Sequence, residues 1–291
     1  MFKPSVFYHR FLDKLRVYSE LVLFQHTIFS IPFILIAMLV ASKGWFGWDL
    51  LLLGILAATA ARNFAMGFNR FLDRDIDRLN PRTMSRPNAD GRLSSHAILL
   101  FVIGNATLFV GIAYLINEMA FLLSFPILGI LATYSAMKRF SWFAHIFLGL
   151  CLGLAPMAGS VAISESIPLW TLYLSLGVMF WVAGFDLLYA LQDQEFDKAH
   201  GLFSIPAKFG TYTTLNISRT FHLLTLVCWA FYTQESQRGV FGMVALMCAT
   251  LFLIWEHWLV HKDQKKINKA LFTVNDYLGI FFLIFTSLDF L

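Results

Sequence analysis

Charged residues are scarce in this chain. Only 14% of its 291 residues are Asp, Glu, Lys or Arg, and 58% are hydrophobic, whereas soluble proteins carry about 25% charged residues. This balance excludes an ordinary soluble domain and indicates that much of the surface faces lipid. The net charge of +4 reflects where basic residues lie in the loops, so we expect a lipid bilayer as a partner and no nucleic acid.

Cysteine is also scarce. The chain has three, Cys151, Cys228 and Cys248, and all three fall inside hydrophobic runs with no paired spacing. An odd number without such spacing excludes a disulfide framework and a zinc site. The basic region at the start of the chain is too long for a signal peptide, and no small-residue cleavage site follows it. We therefore expect the first hydrophobic segment to be a retained helix.

Long uncharged runs are what the chain has in abundance. About 20 apolar residues are enough for a helix to cross a bilayer core of about 30 Å, and only helices or closed barrels can span lipid. The runs are continuous rather than alternating, which excludes a barrel. The sequence predicts an all-α polytopic membrane protein in one domain covering residues 1–291. The nine predicted spans are residues 21–42, 48–70, 97–117, 119–137, 140–164, 166–190, 215–234, 239–260 and 271–289.

Basic residues are distributed unequally between the two sides of such a bundle. With nine spans, one side keeps only Lys43 and Arg238. The other side holds Lys3, Arg10, Lys14, Arg16, the arginines between 70 and 92, Lys138, Arg139, Lys198, Lys208 and the lysines between 262 and 269. Because basic loops stay in the cytoplasm, we expect a cytoplasmic N-terminus in an integral membrane protein of a bacterial inner membrane.

The first acidic motif follows the second predicted span, in the string NRFLDRDIDRLNPRTMSRP. Asn69, Asp73 and Asp77 are four residues apart, which places them on one face of a helix. Carboxylates at this spacing repel each other and cost a helix roughly 0.2 to 0.5 kcal/mol. The pair therefore needs a compensating cation.

A second acidic motif follows the sixth span, in DLLYALQDQEFDKAHG. Its residues Asp186, Asp193 and Asp197 are seven and four apart, again on one helical face. Together the motifs offer five carboxylates and one amide, the hard oxygen ligands that suit Mg²⁺ bound to a substrate phosphate. We expect Mg²⁺ as cofactor, at two positions that clamp one diphosphate, with Asp73, Asp77, Asp193 and Asp197 essential for catalysis.

Two other interpretations of the acids stay open at this point. The acids could form a solvated charged rim with the neighbouring bases Arg70, Arg74, Arg78 and Lys198. They could also bind the coupling cation of a membrane transporter. The acids cluster on one membrane side, whereas a transporter places its site near the midplane.

The two motifs resemble the signatures of the UbiA superfamily of intramembrane prenyltransferases. The resemblance extends to PRTMSRP, to YSAMKR at 134–139 and to GLFSIPAKFG after the second motif. It implies nine helices around a central cavity, with cap loops on the cytoplasmic side. It also implies transfer of a polyprenyl group from its diphosphate to an aromatic acceptor. The second motif is most similar to the 4-hydroxybenzoate polyprenyltransferase branch of ubiquinone synthesis and to its relatives in menaquinone synthesis.

Basic and aromatic residues near the motifs are candidates for substrate binding. Arg62 lies inside a span, where a charge is costly, and Lys138 and Arg139 lie at a predicted helix end. Arg62, Arg82 and Arg86 could bind either the diphosphate or a carboxylated acceptor. Tyr134 and Tyr189 could stabilise an allylic cation through their ring faces. We expect 4-hydroxybenzoate as acceptor, with a hydroxynaphthoate as the alternative.

Overall fold

The computed structural model describes residues 6–22, 31–262, 267–269 and 273–291, and these residues contain helices and no strand. The prediction of an all-α protein is confirmed. Thirteen α-helices are present in the described residues. They are α1 (Val6–Leu21), α2 (Ile31–Ser42), α3 (Trp48–Leu72), α4 (Arg74–Leu79), α5 (Ser95–Ile116), α6 (Glu118–Met137), α7 (Ala144–Ser164), α8 (Leu169–Ala190), α9 (Gln194–Ala199), α10 (Ile205–Glu235), α11 (Val240–Lys262), α12 (Ile267–Lys269) and α13 (Asn275–Leu288).

Six of the described helices are long and apolar enough to cross a membrane: α3, α5, α6, α7, α8 and α11. The apolar helices α2 and α13 are shorter. Helix α10 is long but less apolar, because Arg219, His222 and several hydroxyl side chains lie along it. The count of nine spans is therefore not confirmed and stays a prediction.

The first predicted span, residues 21–42, stays a prediction, because the structure describes only its two ends. Leu21 ends α1, Val22 lies in a turn, and α2 begins only at Ile31. Residues 23–30 of that span, and the first two residues of the predicted span 271–289, lie outside the described residues.

Short polar side chains define where several helices begin. Ser94, Asn117 and Ser204 precede α5, α6 and α10, and each accepts a hydrogen bond from the backbone N–H three residues later. This satisfies one of the free N–H groups at each helix start. The first turn of α10 is separated from the rest by Gly210, whose φ of 78° is favourable only for glycine.

Close packing of α7 against α8 determines much of the site. A Cβ placed on Gly149 would lie 2.3 Å from the Met179 carbonyl oxygen, and one on Gly153 would lie 2.9 Å from the Ser175 carbonyl oxygen. Only glycine permits this approach of two backbones. The two helices run antiparallel, so the start of α7 meets the end of α8.

Two apolar clusters lie on either side of a central cavity. One is built by α2, α8, α10, α11 and α13 around the buried rings of Phe33, Trp181, Trp229 and Phe282. The other joins α3, α5 and α6 through buried side chains that include Phe64, Val102 and Leu131. We call the end of the bundle where α3 and α8 end the acidic end, because both acidic motifs lie there.

Candidate active site

Both acidic motifs bend at their middle aspartate. Asp73 lies between α3 and α4 with φ −87° and ψ 12°. Asp193 ends a 3-10 turn and precedes α9 with φ −103° and ψ 3°. Each helix is thus interrupted at the middle aspartate of its motif, while the residues of each motif still face the same cavity. In each motif a short helix turns away from a long one, and its last acid is buried: Asp77 is 5% exposed and Asp197 1%.

The bends bring both motifs to one polar cavity of about 290 Å³ at the acidic end. Its lining includes all six motif residues: Asn69, Asp73, Asp77, Asp186, Asp193 and Asp197. Six of the seven expected substrate-binding residues also line it: Arg62, Arg82, Arg86, Tyr134, Lys138 and Tyr189. The seventh, Arg139, donates to the Leu72 carbonyl and to Asp75. Arg139 therefore holds the junction after α3 from outside the cavity.

The first motif is held by the loop that follows it. Arg86 Nη1 donates to Asp77 Oδ1 at 2.8 Å, and Asn88 Nδ2 donates to Asp77 Oδ2 at 2.8 Å. Asn69 Nδ2 donates to Asp73 Oδ2 at 3.0 Å. The Arg-rich segment after the motif thus folds back over its own acids.

The second motif is held by residues distant in the sequence. Arg82 forms a two-pronged ion pair with Asp193, in which Nε donates to Oδ1 at 2.9 Å. Asn80 Nδ2 donates to the same Oδ1 at 3.0 Å. Lys138 Nζ lies 2.8 Å from Asp197 Oδ1. The loop after the first motif therefore crosses the cavity and closes over the second motif.

The solvated rim considered from the sequence does not match these contacts. Arg74 donates to the Ser95 hydroxyl, and Arg78 Nε donates to the Ala89 carbonyl. Asp77, Asp193 and Asp197 are buried. Arg70 Nη1 does lie 4.0 Å from Asp77 Oδ2, but Asp193 and Asp197 are matched with Arg82 and Lys138 from other segments.

Asp186 has a different kind of partner from the other acids. His145 Nδ1 lies 2.7 Å from Asp186 Oδ2, and His145 also lines the cavity. His145, Asn80 and Asn88 were not among the site residues predicted from the sequence. The start of α7 beside the YSAMKR motif was the available signal for His145. No sequence pattern signalled the two asparagines, because their partners lie elsewhere in the chain.

Two tyrosines and Arg62 mark the inner boundary of the cavity. Arg82 Nη1 donates to the Tyr189 hydroxyl at 2.6 Å, and its guanidinium carbon lies 5.0 Å from the centre of the Tyr189 ring. Arg62 Nη1 donates to the Val22 carbonyl at 2.9 Å. Arg62, Tyr134, Met66 and Phe185 also line a second cavity.

The second cavity is apolar and has a volume of about 480 Å³. It runs between α2, α3, α5, α6, α7 and α8, away from the acidic end. Small side chains such as Gly54, Ala58, Ala155 and Ala162 make room for it. Because the two cavities share lining residues, one compartment has a charged end and an apolar end.

Burial shapes the electrostatics of the charged end. Burial and the neighbouring Asp77 carboxylate raise the pKa of Asp73 to about 6. Burial lowers the pKa of Arg86 to about 10. Burial alone would lower the pKa of Arg82 as well, but the hydrogen bond to Asp193 raises this pKa above its ordinary value. The raised pKa of Asp73 means that its negative charge is poorly compensated by the protein alone.

The residues present fit Mg²⁺. Asp73 Oδ1 is buried and accepts no hydrogen bond, and the nearest cation, Arg139 Nη2, lies 3.7 Å away. The donor set is oxygen from carboxylates and an amide, which is what Mg²⁺ prefers. Among the described residues, no three acids, histidines or cysteines are already arranged around a common metal position. Lys138 and Arg82 contact the Asp197 and Asp193 carboxylates directly.

The fold and the site define a helical membrane protein with an acidic cavity joined to an apolar one, and comparison with known proteins identifies its family. The sequence model of the UbiA prenyltransferase family matches residues 30–285. The chain therefore belongs to the UbiA prenyltransferase family and is an integral membrane enzyme of the prenyltransferase class. The family resemblance predicted from the motifs is confirmed.

Curated relatives cover nearly the whole chain. The 4-hydroxybenzoate octaprenyltransferase of Actinobacillus pleuropneumoniae serotype 5b is 30% identical over 283 residues, which are 95% of this chain and 96% of that protein. The protein of the same name from Vibrio campbellii is 28% identical over 278 residues, 94% of this chain and 96% of that protein.

Solved structures share the fold. A UbiA homolog from Aeropyrum pernix K1 is 31% identical with a TM-score of 0.83, covering 91% of this chain and 98% of its own. A UbiA homolog from Archaeoglobus fulgidus bound to GPP and Mg²⁺ is 22% identical with a TM-score of 0.75, covering 94% of this chain and 98% of its own. The predicted helical bundle with a central cavity is thus the fold of this family.

Proposed function

We propose that this enzyme transfers a polyprenyl group from its diphosphate to 4-hydroxybenzoate in ubiquinone biosynthesis, with Mg²⁺ as cofactor. The observation that carries the proposal is the compartment with one charged and one apolar end. A polyprenyl diphosphate has the same two parts. The names of the Actinobacillus and Vibrio relatives support the acceptor, and the Archaeoglobus homolog bound to GPP and Mg²⁺ supports the donor and the metal.

The diphosphate would lie at the charged end. Asn69, Asp73, Asp77, Asp193 and Asp197 would hold Mg²⁺ through their oxygen atoms. When bound, Mg²⁺ would neutralise the diphosphate and make it a better leaving group. Lys138 and Arg82 line the same cavity and would contact the diphosphate oxygens.

The chain itself then supports the departure of the diphosphate. Arg82, Arg86 and Lys138 would bind the growing negative charge as the allylic C–O bond breaks, since they line the cavity from loops on both sides. Tyr134 and Tyr189 lie at the inner boundary, where their rings would face the resulting allylic cation. The apolar walls of the compartment exclude water, which would otherwise capture this cation.

The acceptor would enter at the junction of the two cavities. A carboxylated aromatic needs a cation to offset the cost of removing its charge from water. Arg62 lies at this junction, about two helical turns before Asn69. We assign Arg62 to the acceptor carboxylate and Arg82 and Arg86 to the diphosphate.

The distribution of basic residues among the loops supports this arrangement. The acidic end faces the side that carries most of the basic loop residues, so both motifs would open to the cytoplasm of a bacterial inner membrane, where the water-soluble acceptor is available. The whole chain would act as one domain.

The decisive experiment is incubation of the purified protein with Mg²⁺, one long-chain prenyl diphosphate and a panel of aromatic acids, followed by mass identification of the products. Prenylated 4-hydroxybenzoate is the expected product, and the Asp197→Ala variant is the matched inactive control. A product formed only from hydroxynaphthoate would instead assign the enzyme to menaquinone synthesis. A product formed only from a phenol without a carboxylate would contradict the acceptor assignment and retain the prenyltransferase class.

A further inference from the structure

His145 and Asp186 form a pair unlike any other in the active site. Asp77, Asp193 and Asp197 are each held by an arginine or a lysine. Asp186 is instead contacted by an imidazole, with 2.7 Å between His145 Nδ1 and Asp186 Oδ2. A histidine can hold a carboxylate by one directed hydrogen bond without adding a permanent charge to the cavity.

The fold is built to make this contact. His145 lies in the first turn of α7, four residues before Gly149, and Asp186 lies seven residues after Met179 on α8. These intervals place both residues on the faces where Gly149 and the Met179 backbone meet. The glycine contact therefore sets the separation of the two helices and with it the distance between the imidazole and the carboxylate.

The position of the pair differs from that of the other acids. Asp186 lies inside a regular helix, before the bend at Asp193, whereas the last acid of each motif lies in a short helix beyond a bend. Asp186 therefore lies deeper along the bundle, on the side of Phe185, which lines both cavities. Its side chain is 22% exposed, while that of His145 is 6% exposed. Both residues line the polar cavity, and the carboxylate is the more exposed of the two groups.

We propose that His145 is a positioning residue for the aromatic acceptor. Its Nδ1–H donates to Asp186 Oδ2 and fixes the carboxylate, so that the second oxygen, Oδ1, accepts a hydrogen bond from the acceptor hydroxyl. The acceptor would then be bound at both ends, with its carboxylate at Arg62 and its hydroxyl at Asp186. This inference rests on the proposed function and assigns Asp186, expected as a metal ligand, to the acceptor.

Three substitutions test the role of His145. Asn places an amide N–H near the position of Nδ1, Gln places one near Nε2, and Leu removes both donors. We expect His145→Leu to lower kcat/KM for the acceptor by about tenfold or more, as loss of an orienting partner does at other sites. The KM for the prenyl diphosphate and the Mg²⁺ concentration for half-maximal activity should be unchanged. His145→Asn should restore most of the loss, and His145→Gln should not.

A double-mutant cycle with Asp186→Asn separates positioning from folding. If His145 acts through Asp186, His145→Leu should cost nothing further in the Asp186→Asn background. Equal loss of kcat/KM in both backgrounds would overturn the inference. So would rescue by Gln in place of Asn, or a His145→Leu variant with unchanged acceptor kinetics.

Measurements on the wild type distinguish a failure of the His145 proposal from a failure of the proposed function. A wild type that prenylates 4-hydroxybenzoate beside an equally active His145→Leu variant overturns only the role of His145. If the wild type prenylates another aromatic acid, the proposed acceptor is wrong. The His145 variants are then measured with that acid. A wild type that prenylates no member of the panel overturns both. Thermal unfolding of each variant shows whether a loss of activity reflects loss of the folded protein.

Discussion

Lys138 Nζ lies 2.8 Å from Oδ1 of Asp197, the most deeply buried acid of the two motifs. Lys138 follows α6 and Asp197 lies in α9, so the contact closes the cavity between two separate segments of the chain. Phe203 strengthens the same closure, because its backbone N–H donates to the Lys138 carbonyl at 3.0 Å. The protein thus places a lysine directly against Asp197, one of the carboxylates that the proposed metal would bind.

The first prediction concerns the four acids that lie at the two bends or in the short helices that follow them. Asp73→Ala, Asp77→Ala, Asp193→Ala and Asp197→Ala should each lower prenyl transfer by at least about tenfold, because each removes a metal ligand. The matched control is Asp75→Ala, since Asp75 lies on the same short helix as Asp77 but is exposed and pairs with Arg139. Activities are measured on membrane-inserted protein of equal amount. Four variants with nearly full activity would contradict the ligand assignment.

The second prediction concerns the metal and pH. EDTA should abolish activity, Mg²⁺ or Mn²⁺ should restore it, and Zn²⁺ should restore it poorly because the ligands are all oxygen. The pKa of Asp73 is raised to about 6, so this carboxyl becomes protonated as the pH falls through that value. Mg²⁺ must then displace a proton, and the Mg²⁺ concentration for half-maximal binding should rise below this pH. Metal binding that is independent of pH between 5 and 7, roughly the range around this pKa, would contradict the prediction.

The third prediction concerns Arg82, which contacts Asp193 and Tyr189 at once. Arg82→Lys keeps the charge but loses the planar two-pronged geometry. Loss of one charge-assisted hydrogen bond, about 1.5 to 3 kcal/mol, should raise the KM for the prenyl diphosphate by about tenfold or more. Arg78→Lys is the control, because Arg78 lies on the same segment and contacts the Ala89 carbonyl. The assignment fails if the two variants have the same KM.

The fourth prediction concerns the contact between α7 and α8. Gly149→Ala should lower the free energy of unfolding by about 1 to 3 kcal/mol, because the added methyl group meets the Met179 carbonyl oxygen. Gly129→Ala is the control, since nothing lies within 4 Å of a Cβ at Gly129. In that helix alanine should be neutral or stabilising by up to about 1 kcal/mol. Thermal unfolding in the same detergent compares the two, and equal stability would show that the helices adjust freely.

The sequence by itself determined the chemical class of this protein. Uncharged runs of about 20 residues predict membrane helices because lipid cannot satisfy a free backbone. The acids at four-residue spacing predicted a cation site because like charges on adjacent helical turns repel each other. Both arguments use only neighbours along the chain, which is why α3, α5, α6, α7 and α8 lie close to their predicted bounds.

Only the tertiary structure decided which groups meet. Arg82 and Asp193 are 111 residues apart in the sequence and His145 and Asp186 are 41 apart, and no local pattern links either pair. The bends at Asp73 and Asp193 also arise from packing, because the same spacing would suit a continuous helix. Interhelical distance is set by how closely two backbones can approach at residues such as Gly149. Contacts between distant segments depend on that distance, and a one-dimensional pattern does not contain it.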